Sequence, residues 1–295
     1  MRRRLFVTVI AGLLILASGL SAQKQAQMFL SLTSPDGKRV EGITPQDVTI
    51  IEDGAACKTI QVEAVDWPTK LQVLVGNGRS NTNPISPLRD GLTGFFEQIP
   101  DGVEMSMYTT SGSPRSVVRP TTDKQKLIDA VSRIGPDTNN CVFFGSLLEA
   151  SERVDKEKTP SYPMIVTIGS NFSSAAVVER DYNKLQTTLF DHGIKTYVLM
   201  NVGSQSVMGG GAQIDIGITA AKIAGGIYED FNSETRLATL LPEIGKHVAQ
   251  SIALQSHQYR VTYEPCSKST GANGVTTAVE VHKEGAVKLS LHGTQ

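Results

Sequence analysis

Ser80, Ser170, Asp181 and His192 supply the residue types of a serine hydrolase: a nucleophile, a base and a carboxylate to orient the base. Their surroundings argue against that chemistry. No Gly-x-Ser-x-Gly elbow is present to lift a serine out of a strand, and His192 stands just before Gly193 at the close of an apolar-periodic stretch, where a cation meets the favourable pole of a helix. The loop Gly76-Asn77-Gly78-Arg79-Ser80-Asn81 offers glycine-rich backbone of the kind that cradles phosphate. It lacks the Gly-Lys-Ser/Thr ending of a P-loop, and Asn81 stands where a dinucleotide fingerprint needs its third glycine. Cys141 reads as an inert, partly buried cysteine; the alternative is a reactive thiol whose pKa the following helix lowers. His247 and His257 are ten residues apart and make no i,i+4 ligand pair. No convergent acid, base and nucleophile emerges, so the chain reads as a non-enzyme that needs no cofactor.

The elements that must position these residues alternate in period. Leu71, Val73, Leu74 and Val75 form a short, β-branched apolar run that breaks at Gly76-Asn77-Gly78, after which Leu88, Leu92, Phe95, Phe96 and Ile99 recur at helical spacing. In an open α/β sheet such a loop lies at the carboxyl end of the strands, where ligands bind. The alternation continues through Val103–Met107, a returning edge strand at Val117 and Val118, and a helix from Asp123 to Ile134 capped by Thr122. Met164 to Ile168 is unbroken in hydrophobicity, which suits a central strand covered on both faces. A helix ending at His192-Gly193, a strand from Ile194 to Met200 and a long helix from Glu234 to about Ser251 follow. The fold class predicted for residues 70–252 is therefore a three-layer α/β/α sandwich around a mostly parallel sheet.

The flanks have period two. Residues 24–66 read as short strands joined by turns at Pro35-Asp36-Gly37 and Glu52-Asp53-Gly54, with a helical turn capped by Thr44 before Pro45. Residues 257–292 alternate again at Tyr259, Val261 and Tyr263, and Glu284-Gly285 between two alternating runs reads as a hairpin. Both flanks are expected to pack as one β module, with a boundary near Trp67-Pro68.

Residues 1–22 read as a signal peptide: three arginines, an apolar stretch shorter than a membrane span, and small residues before Gln23. Its removal leaves 25 basic against 29 acidic residues, a formal charge of −4. A mildly acidic chain without a basic stripe argues against nucleic acid and an anionic membrane surface as partners. No stable membrane insertion is expected after cleavage, and the mature chain is placed in the periplasm or outside the cell. Three cysteines, Cys57, Cys141 and Cys266, are too few for a disulfide scaffold and leave at least one free or intermolecularly bonded.

Four stretches resemble the bacterial secreted proteins with a von Willebrand factor A related domain. They are Pro35-Asp36-Gly37 through Gly42-Ile43-Thr44 to Glu52-Asp53-Gly54, the strand and loop at 70–81, the strand and loop at 163–174, and Ala224-Gly225-Gly226 with the helix after it and Tyr259 to Pro265. The resemblance implies an A-domain fold, a divalent-ion adhesion site at the top of the sheet, and protein binding rather than catalysis.

That ion site requires hard oxygen ligands. Aligned on the family's Asp-x-Ser-x-Ser loop, Gly76 takes the Asp position, Gly78 the first Ser position, and Ser80 the second; the threonine falls at Cys141, the aspartate just after it at Gly145, and the strand-ending aspartate at Ile168. A one-residue slip puts Asn77 first, with Arg79 and Asn81 in the serine positions. Either register leaves no carboxylate at the centre, so the adhesion site reads as degenerate, with Asp137 or Asp215 the carboxylates able to restore it. The expected function is an exported, metal-free binding module for an unidentified protein. Its contacts would come from Asn77, Arg79, Ser80 and Asn81 of the first loop, Asn140 of the second, and Ser170 and Asn171 of the third. A structural or scaffold role in the cell envelope is the alternative.

Overall fold

The structure is a computed structural model that describes residues 25–34, 38–78, 85–172, 177–203, 210–255, 258–266, 277–283 and 288–292. The leader expected over 1–22, the Pro35-Asp36-Gly37 turn, Arg79, Ser80, Asn81, His257 and the Glu284-Gly285 turn lie outside those residues.

The chain opens with β1 (Ala26–Thr33), β2 (Val48–Glu52) and β3 (Ala55–Ala64). It then builds β4 (Thr69–Val75), α1 (Ser86–Gln98), β5 (Glu104–Thr109), β6 (Arg115–Thr121), α2 (Lys124–Val131), α3 (Phe143–Asp155), β7 (Tyr162–Ser170), α4 (Glu179–Asp191), β8 (Lys195–Asn201), α5 (Gly210–Ile223), β9 (Ile227–Phe231) and α6 (Leu237–Gln255). It closes with β10 (Gln258–Glu264), β11 (Thr277–Val281) and β12 (Lys288–His292).

Six strands form the central sheet in the order β6-β5-β4-β7-β8-β9, parallel except for β6, which runs antiparallel to β5 at one edge. β7 is buried along its whole length because β4 and β8 flank it and helices cover both faces, which is why its sequence is apolar without alternation. Leu71, Val73, Val75, Met164, Val166 and Tyr197 meet α1, α2 and α6 on one face. Leu74, Ile165, Val198 and Met200 meet α3, α4 and α5 on the other. Fully buried Phe95 and Phe96 of α1 each contribute about 1.5–3 kcal/mol of apolar burial. Gly91 lets α6 approach: a Cβ there would fall 2.2 Å from the Leu237 carbonyl oxygen. The cap of α2 differs from the expected Thr122. The Asp123 carboxylate accepts from the Lys126 amide at 3.4 Å, because the helix begins one residue later than its apolar pattern suggests.

The second sheet is antiparallel, in the order β11-β2-β3-β10-β1-β12. β10 lies between β3 and β1, so strands from both ends of the chain share one ladder. Tyr259 donates its hydroxyl to the Val40 carbonyl, and Tyr263 donates to Glu52 Oε1 at 2.8 Å. The expected β11–β12 hairpin does not form. β11 pairs with β2 and β12 with β1, at opposite edges of the sheet. Alternation marks a strand but not its partner, and the unpaired edges of β2 and β1 each accept one.

The two sheets meet at a short connection. The Val65 amide donates to the Gln258 carbonyl at 2.9 Å, and the Tyr162 amide to the Pro68 carbonyl at 2.9 Å. Trp67 packs between Phe29 and Tyr162, with ring centroids 5.4 and 5.5 Å away. No helix among the described residues is long and apolar enough to cross a membrane.

Candidate functional site

The loops leaving the carboxyl ends of β4 and β7, with the α2–α3 loop between them in sequence, gather at one end of the central sheet. Backbone hydrogen bonds stitch the first loop to its neighbours: Gly76 N donates to Ile168 O at 2.8 Å, and Asp137 N to Asn77 O at 2.8 Å. Buried Asn77 donates its amide to the Gly135 carbonyl at 2.9 Å, while its Oδ1 is buried without a partner. The second loop is tied to the segment after β5, where Gly112 N donates to Asn140 O at 3.0 Å and Val142 N to Thr110 O at 2.9 Å. In the third, Asn171 N donates to Asn201 O at 3.0 Å and its side-chain amide to Val202 O at 3.1 Å.

These ties hold Gly76 against Ile168, and Gly78 lies close against Cys141. A Cβ on Gly78 would fall 2.5 Å from the Asn139 carbonyl oxygen and 3.1 Å from Cys141 Sγ, and one on Gly169 would fall 2.5 Å from the Phe143 ring. Cys141 is 1% exposed and Ile168 fully buried. Gly145 sits in the first turn of α3, with Val142 Cγ1 3.0 Å from where its Cβ would be.

The resemblance implies a divalent ion at this place, and the donors described there do not fit one. Gly76, Gly78 and Ile168 carry no side-chain oxygen, Cys141 offers sulfur, and the unpartnered oxygens nearby, Asn77 Oδ1, Ser111 Oγ and Asn171 Oδ1, are neutral. A hard dication with a strict octahedral preference requires anionic oxygen. The Asp137 carboxylate turns back on its own loop and accepts from the Asn139 amide and side chain at 2.8 Å each; that backbone bond first of all holds its carboxyl below the usual range.

Two residues of this face are not evident from the sequence. Asn201, buried at the end of β8, donates to Glu234 Oε1 at 3.3 Å and accepts from Gly203 N at 3.0 Å. The available signal is positional: Asn201 is the last residue of β8, and Glu234 stands shortly after the end of β9.

The hydrolase constellation is not assembled. Ser170 closes β7 at the loop end, where its hydroxyl accepts from Phe172 N at 3.2 Å. His192 caps α4 at the opposite end and pairs with Asp155 at 3.0 Å rather than with Asp181. Asp181 is engaged by its neighbour Arg180 at 2.9 Å.

No protein-family model matches the chain, and no curated protein matches it in sequence. In fold it is similar to the von Willebrand factor type A protein from Catenulispora acidiphila, at 9% identity and a TM-score of 0.51, over 93% of this chain and 74% of that one. It is also similar to the pilus adhesin SpaC from Lactobacillus rhamnosus GG in its open conformation, at 11% identity and a TM-score of 0.50, over 86% of this chain and 48% of that one. The chain thus spans about half the length of SpaC. These likenesses show the fold: a von Willebrand A-type, Rossmann-like sheet flanked by helices, joined here to an additional antiparallel sheet.

Proposed function

We propose that the chain is an exported protein-binding module that acts through the loop end of its A-type sheet without a metal ion and without catalysis. The observation that carries this reading is the packing of Gly78 against Asn139 and Cys141, with Gly169 against Phe143. In this arrangement the loops are held by backbone hydrogen bonds and side-chain contact, so a preorganised face needs no ion to assemble it. Neutral amides at Asn77, Asn140 and Asn171, with Arg79 as a fixed charge able to grip a carboxylate, suit hydrogen-bonded recognition of a protein surface. SpaC, a pilus adhesin, has a similar fold, and adhesion is the comparable role here.

Export is supported by the Cys57–Cys266 disulfide, which joins residues 209 apart and persists in an oxidising compartment. The proposed leader at 1–22 supplies the route. N-terminal sequencing of protein from the producing cell tests it, and an uncleaved chain in the membrane fraction overturns it.

Capture from the producing cell's own envelope extract, with and without EDTA, tests the binding reading. One protein retained equally under both conditions, and lost in Asn140→Ala or Arg79→Ala, is the expected result. Capture abolished by EDTA overturns the metal-free mode, and no capture leaves a scaffold role in its place.

A further inference from the structure

We propose that a cleft at the opposite end of the central sheet, where it meets the antiparallel sheet, binds a small apolar molecule bearing one carboxylate. This site goes beyond the loop-face reading and does not depend on it. The cleft encloses about 570 Å³, within the range of small-molecule sites, and is lined by Phe29, Trp67, Tyr162, Phe190, Lys195 and Gln255 among others.

Three buried polar side chains from separate elements line it. Lys195 opens β8 and pairs in register with Met164 of β7, and Tyr162 stands two residues before Met164. Side-chain alternation therefore puts Tyr162 and Lys195 on the same face of adjacent strands. That face is covered by α6, whose final residue is Gln255. All three are more than nine-tenths buried: Tyr162 is 7% exposed, Lys195 7% and Gln255 6%.

None of the three is fully satisfied. The Tyr162 hydroxyl and Gln255 Oε1 have no hydrogen-bond partner. Lys195 Nζ reaches Ser251 Oγ at 3.5 Å and forms no ion pair among the described residues. A buried ammonium without a counter-ion is costly, and unpaired buried donors and acceptors add to that cost. A ligand carboxylate would accept from Lys195, and a small side-chain shift would bring the buried Tyr162 hydroxyl or the Gln255 amide within reach as well.

The remaining wall is mixed, with Glu157, Lys158 and His192 beside its aromatic side chains. Phe29 and Trp67 line it, and Phe190 stands at the rim 63% exposed, one of two large apolar side chains so exposed among the described residues. A molecule with an aliphatic or aromatic body would cover Phe190 while its head group reaches Lys195.

Trp67 is the chain's single tryptophan and lies in this cleft, so its emission reports occupancy directly. The full mature chain is titrated at pH 7 with decanoate, decanol and decyltrimethylammonium. Decanoate is expected to give a saturable emission change, at least tenfold tighter than either control. Lys195→Met should weaken it at least tenfold and Tyr162→Phe at least threefold. No saturable response to decanoate, equal affinity for decanol, or unchanged affinity in Lys195→Met overturns the proposal. If Lys195→Met fails to fold, Phe190→Ser decides at an exposed position: a threefold or greater loss supports the site, and unchanged affinity overturns it.

Discussion

Gly78 and Cys141 lie against each other across two loops, so that a Cβ on Gly78 would come within 3.1 Å of the Cys141 sulfur and 2.5 Å of the carbonyl oxygen before it at Asn139. This contact leaves no room for even a methyl group on Gly78. Gly78→Ala should therefore cost about 1–3 kcal/mol, as overpacking against backbone does. Gly135→Ala, where a Cβ meets nothing within 4 Å, should change stability by less than about 1 kcal/mol. Urea unfolding followed by circular dichroism separates the two. Equal costs would show that the loops yield freely and that the contact does not hold the face together.

Magnesium or manganese up to millimolar concentration should leave the melting temperature where an ionic-strength control leaves it. A ligand that binds only the folded state stabilises it by mass action, so a true site would raise the melting temperature with concentration. The ligand positions at Gly76, Cys141 and Ile168 supply no hard anion. A saturable rise lost in Ser80→Ala would mean that a carboxylate such as Asp137 or Glu234 moves into the site on loading.

Thiol titration should find no reactive group in the folded chain and one after denaturation without reductant. Cys57 and Cys266 are bonded, and Cys141 is 1% exposed. The bond joins β3 to the segment leaving β10, closing most of the chain into a loop. The double variant Cys57→Ala, Cys266→Ala should lose about 2–5 kcal/mol of stability. A fast-reacting thiol in the native state would instead give Cys141 the reactive role.

Lys195→Met should melt higher than the parent chain at neutral pH. Burial lowers the Lys195 pKa from its usual 10.5. Below the lowered value the folded state carries a desolvated charge that the unfolded state does not. Between the lowered value and 10.5 the unfolded chain binds the extra proton, so the parent's stability rises with pH through that window. The gap between the two proteins should therefore be widest at low pH and close as pH approaches 10.5. A gap independent of pH would mean that Lys195 is not penalised by burial.

What the sequence determined by itself is the layered core. The apolar runs at 71–75 and 164–168, each followed by a turn and a helical period, specify strands covered on both faces, because a strand can be apolar throughout only where helices lie on both sides of it. The residue types at 76, 78, 141 and 168 are also read directly, and with them the absence of anionic oxygen at those positions. Tertiary structure decided which distant groups meet. Cys57 finds Cys266 because β3 and β10 are neighbours in the sheet, and His192 finds Asp155 because α3 and α4 pack side by side. β11 and β12, consecutive in the chain, pair at opposite sheet edges instead of with each other. Tyr162, Lys195 and Gln255 come from two strands and a helix end and line one cleft that no local pattern announces. Periodicity records which side of an element is buried over some ten residues, whereas partner choice depends on burial and edge pairing summed over the whole chain.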